Sequence, residues 1–74
     1  MEFKEIFLTN MWDKSFEINS KIFIKYKDED LKEAIILNKK SFFGENIDEI
    51  ELRINNTKEN YSIQNRFIKY YKSI

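Results

Sequence analysis

The segment "RFIKYYK", residues 66–72, interleaves aromatic and basic side chains without a single acid. Its reading decides the fold. Placed at helical steps of about 100°, Ile63, Phe67, Tyr70, Tyr71 and Ile74 gather on one arc, which Ile68 and Tyr61 extend. Ser62, Asn65, Arg66, Lys69, Lys72 and Ser73 gather on the opposite arc. As a strand, each face would mix rings with charges. The cleaner partition predicts a C-terminal amphipathic helix over residues 58–72. Thr57 is its candidate cap, with Asn60 three residues on, and Phe67 stands at the centre of its buried arc. Stacking on nucleic acid needs rings and cations side by side on one exposed surface. A helix would separate them, so the segment is read as core packing with a basic outer side.

Upstream, "IDEIELRIN", residues 47–55, alternates with period two. Ile50, Leu52 and Ile54 share one face, and Glu49, Glu51 and Arg53 the other. "FEINSKIFIKYK", residues 16–27, alternates likewise, with Phe23 the one ring on an otherwise basic face and Ser20 a candidate bend. "FKEIFLT", residues 3–9, reads as a first strand. "NMWDKS", "SFFGEN" and "NTKEN" read as turns or loops, Gly44 being the only glycine for a positive φ. "DEDLKEAIILNKK", residues 28–40, is ambiguous. Acids at its start and Lys39 and Lys40 at its end complement a helix dipole, which favours a helix over residues 29–40. Its four-residue apolar run also suits a short buried strand. Together these segments predict one α+β domain over residues 1–74: a small antiparallel sheet of three to four strands with the C-terminal helix packed on one face.

Composition bounds the chemistry. With 74 residues and neither Cys nor His, disulfides and most zinc, haem and iron–sulfur sites fall away. No cofactor and no metal is expected. There is no His for acid–base work and no Cys nucleophile, one glycine cannot build a phosphate-cradling loop, and carboxylate clusters are the only catalytic candidates left. The expectation is therefore a protein that is not an enzyme. Asp28, Glu29 and Asp30 lack the spacing of a calcium loop. Thirteen basic residues balance thirteen acidic ones, which argues against a surface built wholly for nucleic acid or anionic lipid. No apolar run reaches membrane-spanning length, and "MEFKEIFL" lacks a basic signal-peptide start. The expected location is cytoplasmic.

Two functions fit this profile. The first is a small protein-binding module, with a second copy of the chain as one candidate partner. Seven Phe, four Tyr and one Trp are more large rings than a core of this size readily hides. Candidate partner-binding residues are Trp12, Phe23 and Phe43, with the acids Asp28, Glu29, Asp30, Glu45 and Asp48 suited to a basic channel of a nucleic-acid-processing enzyme. The chain is rich in Ile, Lys, Asn, Phe and Tyr and has no Val or Pro. That usage suits an A/T-rich bacterial or phage gene. In length, residue usage and lack of cofactor ligands the chain is similar to small phage-encoded inhibitors, although no motif assigns it to a family. The alternative is direct binding of single-stranded nucleic acid by Lys21, Phe23, Lys25 and Lys27, with Arg66, Lys69 and Lys72 from the tail.

Overall fold

The computed structural model describes residues 2–74; Met1, the first residue of the domain expected over 1–74, lies outside the described residues. Six strands form one sheet: β1 (Phe3–Ile6), β2 (Lys21–Tyr26), β3 (Lys32–Lys40), β4 (Glu49–Ile54), β5 (Thr57–Ser62) and β6 (Ile68–Ser73). The order across the sheet is β1-β6-β2-β3-β4-β5, and every ladder is antiparallel. One 3₁₀ turn, Lys14–Phe16, is the only helical element among the described residues. The expected α+β class is overturned: the fold is all-β.

The C-terminal helix does not exist. Its residues form β5, a five-residue link and β6, the strand that lies between β1 and β2. Ile68 and Tyr70 point into the core, while Lys69 and Tyr71 share the other face. The mixed faces that argued against a strand arise because β6 has a neighbour on both sides. Its lysine stems can then lie over adjacent strands while the ammonium groups reach water. Phe, Ile and Tyr also favour strands over helices. Phe67, placed at the centre of a buried arc, is 58% exposed. The Asn65 side chain accepts from the Phe67 amide at 3.1 Å in the turn that starts β6.

The helix expected over residues 29–40 is also overturned. Residues 32–40 are β3, with Ala34 and Ile36 in the core. Leu37 is an extra residue: Ile36 pairs with Leu52 and Asn38 with Glu51, so the register shifts between them. The bulge flips the parity from there on, and for that reason neither the helical nor the alternating period fitted the whole segment. The hairpin β4–β5 turns on Asn55 and Asn56, both at positive φ (51° and 65°), as a two-residue turn of the twist-matching kind requires. "NTKEN" is thus mostly strand, not turn. Its polar character is that of an edge strand, which discourages pairing with other chains.

The strand read over residues 16–27 starts later, at Lys21. Phe16 belongs to the 3₁₀ turn and Asn19 adopts a φ of 72°. The break expected at Ser20 falls at the junction. Strand β4, by contrast, lies within the predicted segment 47–55, with Ile50, Leu52 and Ile54 buried. The loop expected at "SFFGEN" is a loop, with Gly44 at a φ of 149°.

The core occupies one face of the sheet. Phe16, Ile22, Ile24, Ala34, Ile36, Ile47, Ile50, Leu52, Ile54, Ile68 and Tyr70 are buried, with Leu8 and Met11 packed against them. Phe16 meets Tyr70 edge to face at 6.0 Å. Loop residues 9–11 run antiparallel to residues 45–47: the Met11 amide donates to the Glu45 carbonyl at 2.8 Å and the Ile47 amide to the Thr9 carbonyl at 2.7 Å. This crossing closes one end of the core. We expect Ile36→Ala to cost about 2–5 kcal/mol through the cavity it leaves. Phe67→Ala should cost under about 1 kcal/mol, as at other exposed sites. Urea or thermal melts of the two variants check both.

Candidate functional site

Two surfaces gather the residues that carry chemistry. The first is a tip made of the loop after β1 and the loop between β3 and β4, joined by the pairing of residues 9–11 with 45–47. Short polar side chains fix both loops. Asn10 Oδ1 accepts from the Trp12 amide at 2.9 Å and Asp13 Oδ1 from the Ser15 amide at 2.8 Å. The Thr9 hydroxyl donates to Asp13, and the Lys39 ammonium donates to the Met11 carbonyl at 2.7 Å. In the facing loop Asp48 Oδ2 accepts from the Phe42 amide at 2.7 Å, and the Ser41 hydroxyl donates to the Gly44 carbonyl. On this tied backbone Trp12 is 69% exposed, Phe42 59% and Phe43 94%. The Thr9 hydroxyl, and after it the Ser15 amide, hold the Asp13 carboxyl below its ordinary range.

The second surface is the outward face of the sheet. Phe3, Phe23 and Tyr71 are half-buried there, and Phe3 meets Phe23 edge to face at 4.9 Å. Phe23 stands opposite Tyr71, and Lys25 opposite Lys69. Lys21 pairs with Glu33 at 3.6 Å, Lys40 with Glu49 at 3.5 Å and Lys58 with Glu51 at 3.8 Å. Lys25, Lys69 and Arg53 make no ion pair among the described residues.

The structure sorts the residues singled out from the sequence. Trp12, Phe43, Glu45 and Asp48 come together at the tip. Met11, beside Trp12, turns inward onto the core. Phe23 lies apart from them, on the outward face. Asp28, Glu29 and Asp30 lie in the β2–β3 hairpin, at the opposite end of β3 from the Phe42–Phe43 loop, where Glu29 pairs with Lys32 at 3.4 Å. The acids therefore do not form one surface. Of the tail and strand cations, Lys21, Lys25 and Lys69 share the outward face with Phe23. Lys27 does not: its ammonium sits 4.7 Å from the Phe67 ring centre and 5.4 Å from that of Tyr26. Arg66 lines a cleft of about 350 Å³ together with Ile6, Leu8, Ile63, Ile68 and Tyr70. Lys72 lies opposite Lys4 and has the other parity on β6. Phe3 and Arg53 were missed as site residues. The parity of Phe3 was visible, but its neighbours depend on β6 lying beside β1, and no local signal reports that.

No group of His, Cys, Asp or Glu suited to a metal ion occurs among the described residues, and no helix among them is long and apolar enough to cross a membrane. No family model, curated protein or solved structure matches the chain.

Two phenols respond to pH. Burial, and then the nearby Tyr61, push the Tyr70 hydroxyl well above its ordinary range. Burial and Glu59 raise that of Tyr61. The Tyr70 oxygen is buried without a hydrogen-bond partner among the described residues. A raised folded value means that the stabilisation is complete below the unfolded phenol value, about 10, and is lost as pH rises through it toward the folded value. Tyr70→Phe removes an unsatisfied group, so it should leave neutral-pH stability unchanged or higher. It should also reduce the loss of stability above about pH 10. Urea melts of parent and variant over a series of alkaline pH values check this.

Proposed function

We propose that this chain is a non-enzymatic protein-binding module of the cytoplasm that docks through the aromatic tip, in the manner of a small inhibitor of a nucleic-acid-processing enzyme. The observation that carries the reading is the exposure of Trp12, Phe42 and Phe43 on two loops whose backbones are tied to each other and to the core. Exposed rings of this kind are costly in a free monomer and mark binding sites. Trp is among the residues most enriched where binding energy concentrates. The hydrogen bonds from Asn10, Asp13, Lys39 and Asp48 hold the loops in place before any partner arrives, which lowers the entropy lost on docking. Glu45, Asp13 and Asp48 flank the rings, so the complementary surface is an apolar pocket with a basic rim. A basic, nucleic-acid-handling protein offers such a surface.

The tip should be separable from the fold. Trp12→Ser and Phe43→Ser are expected to melt close to the parent, because neither ring belongs to the core. Each should weaken partner binding by about 2 kcal/mol or more. Affinity capture with parent and variant baits, followed by titration of the captured protein, measures this. Trp12 emission should be that of a hydrated indole in the free protein and shift to the blue on docking. Capture that is equal for parent and both variants would remove the tip from consideration. Concentration-dependent sedimentation lost in both variants would identify the partner as a second copy of the chain.

A further inference from the structure

The outward sheet face places two rings and two ammonium groups in a two-by-two array. On β2 the order is Phe23, then Lys25 two residues on; on the neighbouring β6 it is Lys69, then Tyr71. The strands are antiparallel and the register sets Phe23 opposite Tyr71 and Lys25 opposite Lys69. A row of rings therefore lies beside a row of cations, about 7 Å apart along the strands. Phe3, opposite Ser73, reaches across β6 to meet Phe23 at 4.9 Å, while the row itself ends in carboxylates, Glu5 beside Tyr71 and Glu33 beside Phe23. We infer that this face binds single-stranded nucleic acid, bases on Phe23, Tyr71 and Phe3 and phosphates on Lys25 and Lys69.

Three features carry the assignment. Like charges directly opposite each other in a ladder are destabilising, yet Lys25 and Lys69 face each other with no acid in ion-pairing reach among the described residues. Elsewhere on the same face Lys21, Lys40 and Lys58 are each neutralised by a glutamate. The two lysines beside the rings are thus left without an ion pair, with Glu5 and Glu33 at the ends of the ring row rather than beside them, and the pair calls for an anion. Second, Phe3, Phe23 and Tyr71 are half-buried, so part of each ring is open to solvent. Third, the spacing of ring row and cation row is of the order of the distance between a base and its own phosphate. Stacking on rings with phosphates on flanking cations is how open sheets hold single strands; a duplex would keep its bases paired and out of reach. The zero net charge is no obstacle, because many of the balancing acids lie in the β2–β3 hairpin and at the tip.

The test is fluorescence anisotropy of a dye-labelled oligothymidylate at graded salt. Saturable binding is expected, with a log–log salt slope of about −1.4 from the two lysines, at about −0.7 per phosphate. Lys25→Glu sets a carboxylate opposite Lys69. It should hold or raise the melting temperature while lowering affinity about tenfold or more. Tyr71→Ala should weaken binding by about fivefold or more through lost stacking, and Gln64→Ala, at an exposed residue of the β5–β6 link, should leave it unchanged. The proposal is overturned if the parent fails to bind at low salt, or if Lys25→Glu binds as the parent does. It is also overturned if polyglutamate displaces the oligonucleotide at equal charge concentration and Tyr71→Ala has no effect, since the face would then read acidic polypeptide by charge alone.

Discussion

The five-residue link between β5 and β6 is the constraint from which the rest of the structure follows. Both strands run in the same direction, and they lie four positions apart in the sheet order. In a flat sheet the chain would have to cross roughly 19 Å sideways and travel back along a strand of roughly 20 Å. The extended link reaches only about 20–22 Å from Ser62 to Ile68. The sheet must therefore coil until the end of β5 approaches the start of β6. At each end the link continues a neighbouring ladder by one residue: the Ile63 amide donates to the Asp48 carbonyl at 2.9 Å, and the Lys27 amide to the Phe67 carbonyl at 3.0 Å. The influence of Tyr61 on Tyr70, from strands at distant places in the sheet, follows from the same coiling.

Coiling explains how so short a chain makes a core without a helix. The inner face folds over on itself, so that Ile22, Ile36 and Leu52 can be fully buried. Phe16 on its 3₁₀ turn also fills the core, against Tyr70. The same geometry leaves two unpaired edges, β1 and β5. Strand β5 presents Lys58, Glu59 and Asn60 there, side chains that resist pairing with another chain. The cleft lined by Ile6, Ile63 and Ile68 is where the link and the end of β1 leave the coil incompletely filled.

These relations set what the sequence could reveal. Strand β4 was legible because it is central, regular and buried on one face, so its alternation is intact. The loop at Gly44 was legible from turn chemistry. Strand β3 was obscured by one extra residue, Leu37, which breaks every fixed period drawn through it. Strand β5 was obscured because an edge strand with little to bury carries little apolar signal. The tail was misread for a more general reason. Seven-residue patterns of rings and lysines satisfy a helical arc by arithmetic, and only the neighbours β1 and β2, distant in sequence, show that both faces of β6 are used. At the sites, Trp12 and Phe43 stood out as large apolar residues in turn-like contexts. Their association with Glu45 and Asp48 needed the pairing of residues 9–11 with 45–47, which no local motif encodes.

The separation of core from surface leaves room for the two proposed binding faces. Ile, Leu and Ala provide most of the core, and Phe16 and Tyr70 are its only buried rings among the described residues, with Tyr61 packed against them. Most of the aromatic content is therefore free for other tasks, which resolves the surplus apparent in the composition. The tip spends three of those rings on loops whose hydrogen bonds are satisfied by their own side chains, so their exposure does not weaken the backbone beneath. The outward face uses three more on strands whose ladders are complete, where side chains add specificity without being needed for pairing. Charge differs between the two: Glu45 and Asp48 accompany the tip, with Lys39 tied to its backbone, while Lys25 and Lys69 make no ion pair on the sheet among the described residues. The two proposed partners, a basic protein and a polyanion, would thus not compete for the same residues.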